Sequence, residues 1–176
     1  MDESDFFAEQ FRVTLNQMRY MARLVPVARR YLRPPFHNAE WSAAREIYHL
    51  ALYEESVALP SMRLWLDGPP VDDSVFLNED ALWESEGQQI DYSALLRRLA
   101  DVREEQILLL PSLAGQWDEP RETVWTVPEL EPRTLHWVVT KTCQHTFEHI
   151  SAVARIALFW DHAALRMRQQ EASAGA

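Results

Sequence analysis

Residues 135–159, LHWVVTKTCQHTFEHISAVARIALF, decide how this chain is read. Leu135, Val138, Thr142, His145, His149, Ala152, Ile156 and Phe159 follow one another at alternating steps of three and four. That rhythm returns a side chain to the same side of an α-helix at every turn, so the stretch is a helix with one inward seam. The helix is predicted to run from Pro132 to Ala164. Its seam is apolar except near the middle, where two imidazoles occupy positions that should be buried.

Working outward, three more helices are predicted. Phe11, Leu15, Met18, Ala22 and Val25 give a first helix over about Glu3–Leu24, ended by Pro26, which lacks an N–H. A second runs from about Ser42, a suitable cap, to Leu59 or slightly beyond, with Pro60 near its end. A third runs from about Tyr92 to Leu110, capped by Asp91, with Leu95, Leu99, Val102 and Leu109 on its apolar side. Residues 66–88, which include LDGPPVDDSVFLNED, are predicted to be a long loop. Residues 115–132 should hold a short hairpin, with Trp117 and Trp125 over one end of the core. With only 4 Gly in 176 residues there are few flexible joints. The expected fold is an all-α four-helix bundle with a long loop between helices two and three: one domain over 1–168 and a flexible tail over 169–176.

Composition narrows the partners. A net charge of −10 and no basic stripe argue against nucleic acid and against an anionic membrane surface. No apolar run approaches the ~20 residues of a membrane span. One cysteine, Cys143, forbids an internal disulfide, and the acidic start MDESDFFAEQ is unlike a signal peptide, so a cytoplasmic protein is expected. Cys143 lies about 200° around the helix from His145 and should pack away from it.

His145 and His149, four residues apart, stack on one helix face, where two nitrogens can converge on one ion. Buried imidazoles each need partners for two ring nitrogens, and a metal satisfies one and fixes the tautomer of the other. His49, inside EIYHLALYEE, is the best third ligand. His37 falls in a loop, and His136 and His162 should face solvent. Three imidazoles with open positions suit one divalent ion, Zn, Ni, Fe or Mn. Residues 145–149 also spell H-x-x-E-H, which would make Glu148 a proton-transferring base beside the metal. A peptidase of that class needs a further acidic ligand far downstream, and only 27 of the 176 residues follow His149. A di-iron bundle needs two Glu-x-x-His motifs. Glu46-Ile47-Tyr48-His49 supplies one, but Thr142 and Thr146 stand where the others would need Glu.

Trp41-Ser42, then Glu46-Ile47-Tyr48-His49-Leu50 and Glu54, resembles the "WS…E-x-x-x-H-L…E" segment of the DinB/YfiT-like superfamily. Leu135-His136-Trp137 leading into His145-Thr146-Phe147-Glu148-His149-Ile150 resembles its closing H-x-x-x-H helix. The similarity covers most of the chain. It implies a four-helix bundle that commonly dimerises, with metal ligands at His49, His145 and His149. Some members transfer low-molecular-weight thiols such as bacillithiol or mycothiol, while many have no established activity. Many place Gln three residues after the last histidine, where this chain has Ala152. Two functions follow as expectations: a metal-dependent thiol transferase or hydrolase, or a non-catalytic homodimer that binds a small molecule or serves in a stress response, its metal purely structural.

Overall fold

The computed structural model describes residues 2–35, 41–123 and 132–174. His37 and Trp125 lie outside them. The elements are α1 (Glu3–Leu24), α2 (Ala43–Tyr53), a π-turn (Glu54–Ala58), α3 (Leu59–Arg63), α4 (Glu79–Ser85), α5 (Tyr92–Leu109), two-residue strands β1 (Pro120–Arg121) and β2 (Arg133–Thr134), and α6 (Leu135–Ala174). The strands pair antiparallel, Pro120 opposite Thr134; the short pairing expected within 115–132 has its second strand just beyond, at residues predicted to start the last helix. The long helices α1, α2–α3, α5 and α6 form the bundle. α6 packs most extensively along α1 and also on α2, and both α1 and α2 pack on α5.

The expected caps of the second and third predicted helices hold. Ser42 accepts from the Arg45 N–H and Asp91 from the Ser93 N–H, each filling one orphan donor of a first turn. The second helix does not stop at Pro60. Pro60 has no N–H to give and its ring would clash with the carbonyl four residues back. The chain widens just before it, so that the Leu59 N–H reaches the Glu54 carbonyl, and the helix continues to Arg63. Such π-turns concentrate at functional sites.

Two expectations are corrected. The segment 66–88 is not an unstructured loop, because α4 lies within it. Glu79 and Asp80 sit in the first turn of α4, where the helix dipole favours negative charge. Gly87 lets α4 pack close: a Cβ there would lie 2.4 Å from the Trp83 ring, which itself packs on Tyr48 with centroids 5.3 Å apart. The last helix starts at Leu135 rather than Pro132 and passes Ala164 to reach Ala174. LRMRQQEASA is built mostly of strong helix formers and has no Pro or Gly to stop it.

The core has two main parts. One joins Met18, Ile47, Leu50, Leu95, Leu99, Val153 and Ile156; the other joins Phe7, Phe11, Met62, Leu110, Leu135 and Val138, with Trp117 closing that end as expected. The α6 seam is wider than a single row. Val139, Thr142, Thr146, Val153 and Ala157 are buried, whereas Ala152 and Phe159 are only partly so, because α6 faces α1 and α2 together. Between the parts lies a fully buried polar layer. Arg103 donates to the Glu54 carboxylate at 2.5 Å and to Thr146, and its guanidinium lies over Phe11. Glu54 Oε2, Arg103 Nη1 and both ends of Gln106 have no hydrogen-bond partner among the described residues.

Candidate metal centre

α2 and α6 bring the three histidines together. The Nε2 of His145 lies 3.3 Å from that of His49 and 3.1 Å from that of His149. One nitrogen from each imidazole falls within 4.8 Å of the others. His49, expected as the third ligand, points inward; its side chain is 15% exposed and that of His149 is 10% exposed. His136 and His162 face solvent, as expected.

The outer nitrogens explain why the rings stand as they do. His49 Nδ1 meets both oxygens of Glu79, at 2.9 and 3.0 Å. His149 Nδ1 meets Glu46 Oε2 at 2.6 Å. A carboxylate accepts, so each Nδ1 carries a hydrogen, the tautomer that leaves Nε2 free to ligate a cation. Arg45, almost fully buried, braces this shell: Nη2 lies 2.9 Å from Glu79 Oε1 and 2.9 Å from Asp80 Oδ1. Trp41 lies 4.8 Å from His49 and stacks on His149 at 6.3 Å. The Tyr53 ring sits 4.1 Å from His145.

Proton accounting then tests whether these residues fit a cation. Burial first, then the neighbouring His149 and His49, lowers the His145 pKa to about 2, so this imidazole is neutral and carries one hydrogen. On Nε2, that hydrogen can satisfy only one of the two facing lone pairs. On Nδ1, which is buried without a partner among the described residues, three lone pairs meet with none satisfied. Either arrangement is unfavourable unless a positive centre sits among the Nε2 atoms. Metal–nitrogen bonds of ~2.0–2.1 Å at angles of ~90–110° put the nitrogens ~2.8–3.4 Å apart; the two separations from His145 Nε2, 3.1 and 3.3 Å, fall inside that range, and the three ligand atoms all lie within 4.8 Å of one another. The residues fit one divalent ion held by His49, His145 and His149.

Glu148 does not join the centre. It is exposed and accepts from Gln144 Nε2 at 3.0 Å, since the residue just before His149 is turned about 100° out of the seam. Cys143 is buried away from the imidazoles, and burial raises its pKa to about 11. The outer carboxylates are what sequence reasoning missed. Glu46 stands one turn before His49 in the quoted motif, a spacing that could have suggested it. Glu79 belongs to an acidic run that reads as solvated, and nothing local marks it.

A family model described as the DinB superfamily matches residues 10–153. No curated protein matches the chain. Among solved structures, YfiT from Bacillus subtilis, described as a probable metal-dependent hydrolase with an unusual four-helix bundle topology, superposes with a TM-score of 0.68 at 17% identity. The match covers 89% of this chain and 88% of that one. At that identity the likeness concerns the fold.

Proposed function

The chain belongs to the DinB superfamily, and on that premise we propose that it is a metal-dependent enzyme that activates a small nucleophile, water or a low-molecular-weight thiol, against a small electrophilic substrate. The observation that carries this reading is the convergence of three Nε2 lone pairs with two of the three rings locked from behind by carboxylates. A divalent ion bound there supplies Lewis acidity and lowers the pKa of a nucleophile in an open position. The chain's own residues do the rest. Glu46 and Glu79 hold two imidazoles in the ligating tautomer, Arg45 fixes Glu79, and Tyr53 and Trp41 wall the centre and exclude water. No carboxylate belongs to the converging set, which leaves the ion's positive charge available to a substrate. α4 carries Glu79 to the centre, so a substrate is expected to pass the segment 66–88. Among the described residues no helix is long and apolar enough to cross a membrane, and we propose a cytoplasmic location. We also propose a homodimer, supported by exposed Phe6, Val13 and Tyr20, spaced seven apart on the outer face of α1.

Metal analysis of tag-free wild type beside His145→Ala tests the centre: one equivalent of divalent metal in the first and almost none in the second is expected, and equal content in both overturns it. Metal-loaded protein given an activated ester, with and without an added small thiol, tests the chemistry. Turnover lost in His49→Ala supports the enzyme, and a need for thiol separates transfer from hydrolysis. Wild-type turnover no greater than that of His49→Ala would leave the ion with a structural role.

A further inference from the structure

The chain carries a net charge of −10, yet one cavity is lined by four arginines. It has a volume of about 310 Å³ and lies between the C-terminal half of α1 and the start of α5. Arg19 and Arg23 come from α1, Arg30 from the turn after it, and Arg97 from α5, with Tyr92 and Ser93 completing the polar and aromatic lining. No acidic side chain lines it. Arg19 and Arg23, and likewise Ser93 and Arg97, are four residues apart on their helices, so each pair shares one face.

These four arginines differ from six of the others. Arg12, Arg45, Arg63, Arg98, Arg103 and Arg121 all stand in ion pairs. Among the described residues none of the four that line the cavity does. Arg30 lies over the Tyr92 ring, 4.6 Å from its centroid, and its Nε is buried without a hydrogen-bond partner. Asp91, at the cap of α5, accepts from the N–H and Oγ of Ser93 and interacts electrostatically with Arg97, but it does not line the cavity. The surround is fixed in advance: the Tyr92 hydroxyl donates to the Ala22 carbonyl at 3.3 Å, and the Arg30 carbonyl accepts from the Ala44 N–H at 2.9 Å.

Four arginines around one cavity place positive charge on several sides of it, and an oxyanion held there would be attracted by each of them. Guanidinium forks match phosphate oxygens in pairs, and charge-assisted bonds of this kind are strong. A volume near 300 Å³ stands at the small end of ligand sites, enough for a phosphate group with a modest organic part. The acidic remainder of the surface disfavours a long polyanion or an anionic bilayer. We propose that this cavity, separate from the metal centre, is a binding site for a small phosphate-bearing anion, a soluble phosphomonoester or diphosphate.

Calorimetric titration with inorganic phosphate and with pyrophosphate, in chelator-treated protein and against sodium chloride of equal ionic strength, tests the site. Saturable binding of both anions is expected. Arg23→Gln and Arg97→Gln, both at exposed positions, should each weaken it about tenfold or more, the loss of one hydrogen bond to a charged group. Arg155→Gln, elsewhere on α6, and His145→Ala should bind like the wild type, so failure at the metal centre leaves this result untouched. Binding no stronger than chloride, or equal in Arg97→Gln and wild type, overturns the proposal. So does phosphate binding that vanishes in His145→Ala. Co-sedimentation with phosphatidylcholine vesicles containing one-fifth phosphatidic acid should fail; vesicle binding that needs Arg97 would reassign the site to lipid and overturn the soluble ligand.

Discussion

Arg103 and Glu54 form a fully buried ion pair, and replacing Arg103 with Met makes its effect measurable through pH. In the wild type, burial raises the Glu54 pKa from 4.5 to about 7, while Arg103 and Thr146 pull it down. Removing Arg103 therefore raises it further. A carboxyl with a raised pKa stays protonated in the fold while the unfolded chain has already released its proton near pH 4.5. Its contribution is fully present below that pH and lost as pH rises to the folded pKa, about 7 in the wild type and higher in the variant. Below pH 7 both proteins hold Glu54 protonated, and their stability difference should not change with pH. Above pH 7 the wild type stops losing stability while Arg103→Met continues, at about 1.4 kcal/mol per pH unit. By pH 9 the gap should have widened by ~3 kcal/mol, within the range for removing one partner of a buried pair, or ~6–12 °C in Tm for a domain of this size. Urea melts followed by tryptophan fluorescence, with chelator present, at pH 6, 7, 8 and 9 measure it. In Glu54→Gln/Arg103→Met nothing is left to titrate, so the widening should disappear. A gap that is flat from pH 7 to 9, or equal widening in the double variant, refutes the reasoning.

Glu46→Gln and Glu79→Gln should each weaken binding of a divalent ion by about 10–100-fold, because the neutral amide no longer holds Nδ1–H against the ring's other tautomer; competition with a chromophoric chelator reads this, and unchanged affinity in both variants would deny the carboxylates their role. Cys143, with a pKa of about 11, is roughly one-thousandth thiolate at pH 8, so native protein should react with a disulfide reagent at least 100-fold more slowly than denatured protein, gaining about tenfold per pH unit up to pH 11; a native rate near the denatured one would contradict the burial.

What the sequence by itself determined is local. The three-and-four rhythm of α6 and α1, the caps at Ser42 and Asp91, and the stacking of His145 on His149 one turn apart all follow from 3.6 residues per turn, and the structure keeps each of them. Pro60 left the end of the second helix open because its missing N–H is a local fact, whereas the π-turn that absorbs it and carries the helix to Arg63 reflects the packing on either side. α4 escaped notice because seven residues show too little periodicity to announce a helix.

Tertiary structure alone decided everything that joins distant segments. The spacing of 96 residues between His49 and His145 cannot say that their Nε2 atoms come to 3.3 Å. An acidic run cannot say that Glu79 turns inward to His49 while Asp80 beside it stays in water. Arginines scattered through α1, the turn after it and α5 make no basic stripe in an acidic chain; the packing of α1 on α5 gathers them. Side-chain periodicity fixes which face of an element is buried, but the meeting of two faces depends on how whole helices pack, which no single segment encodes.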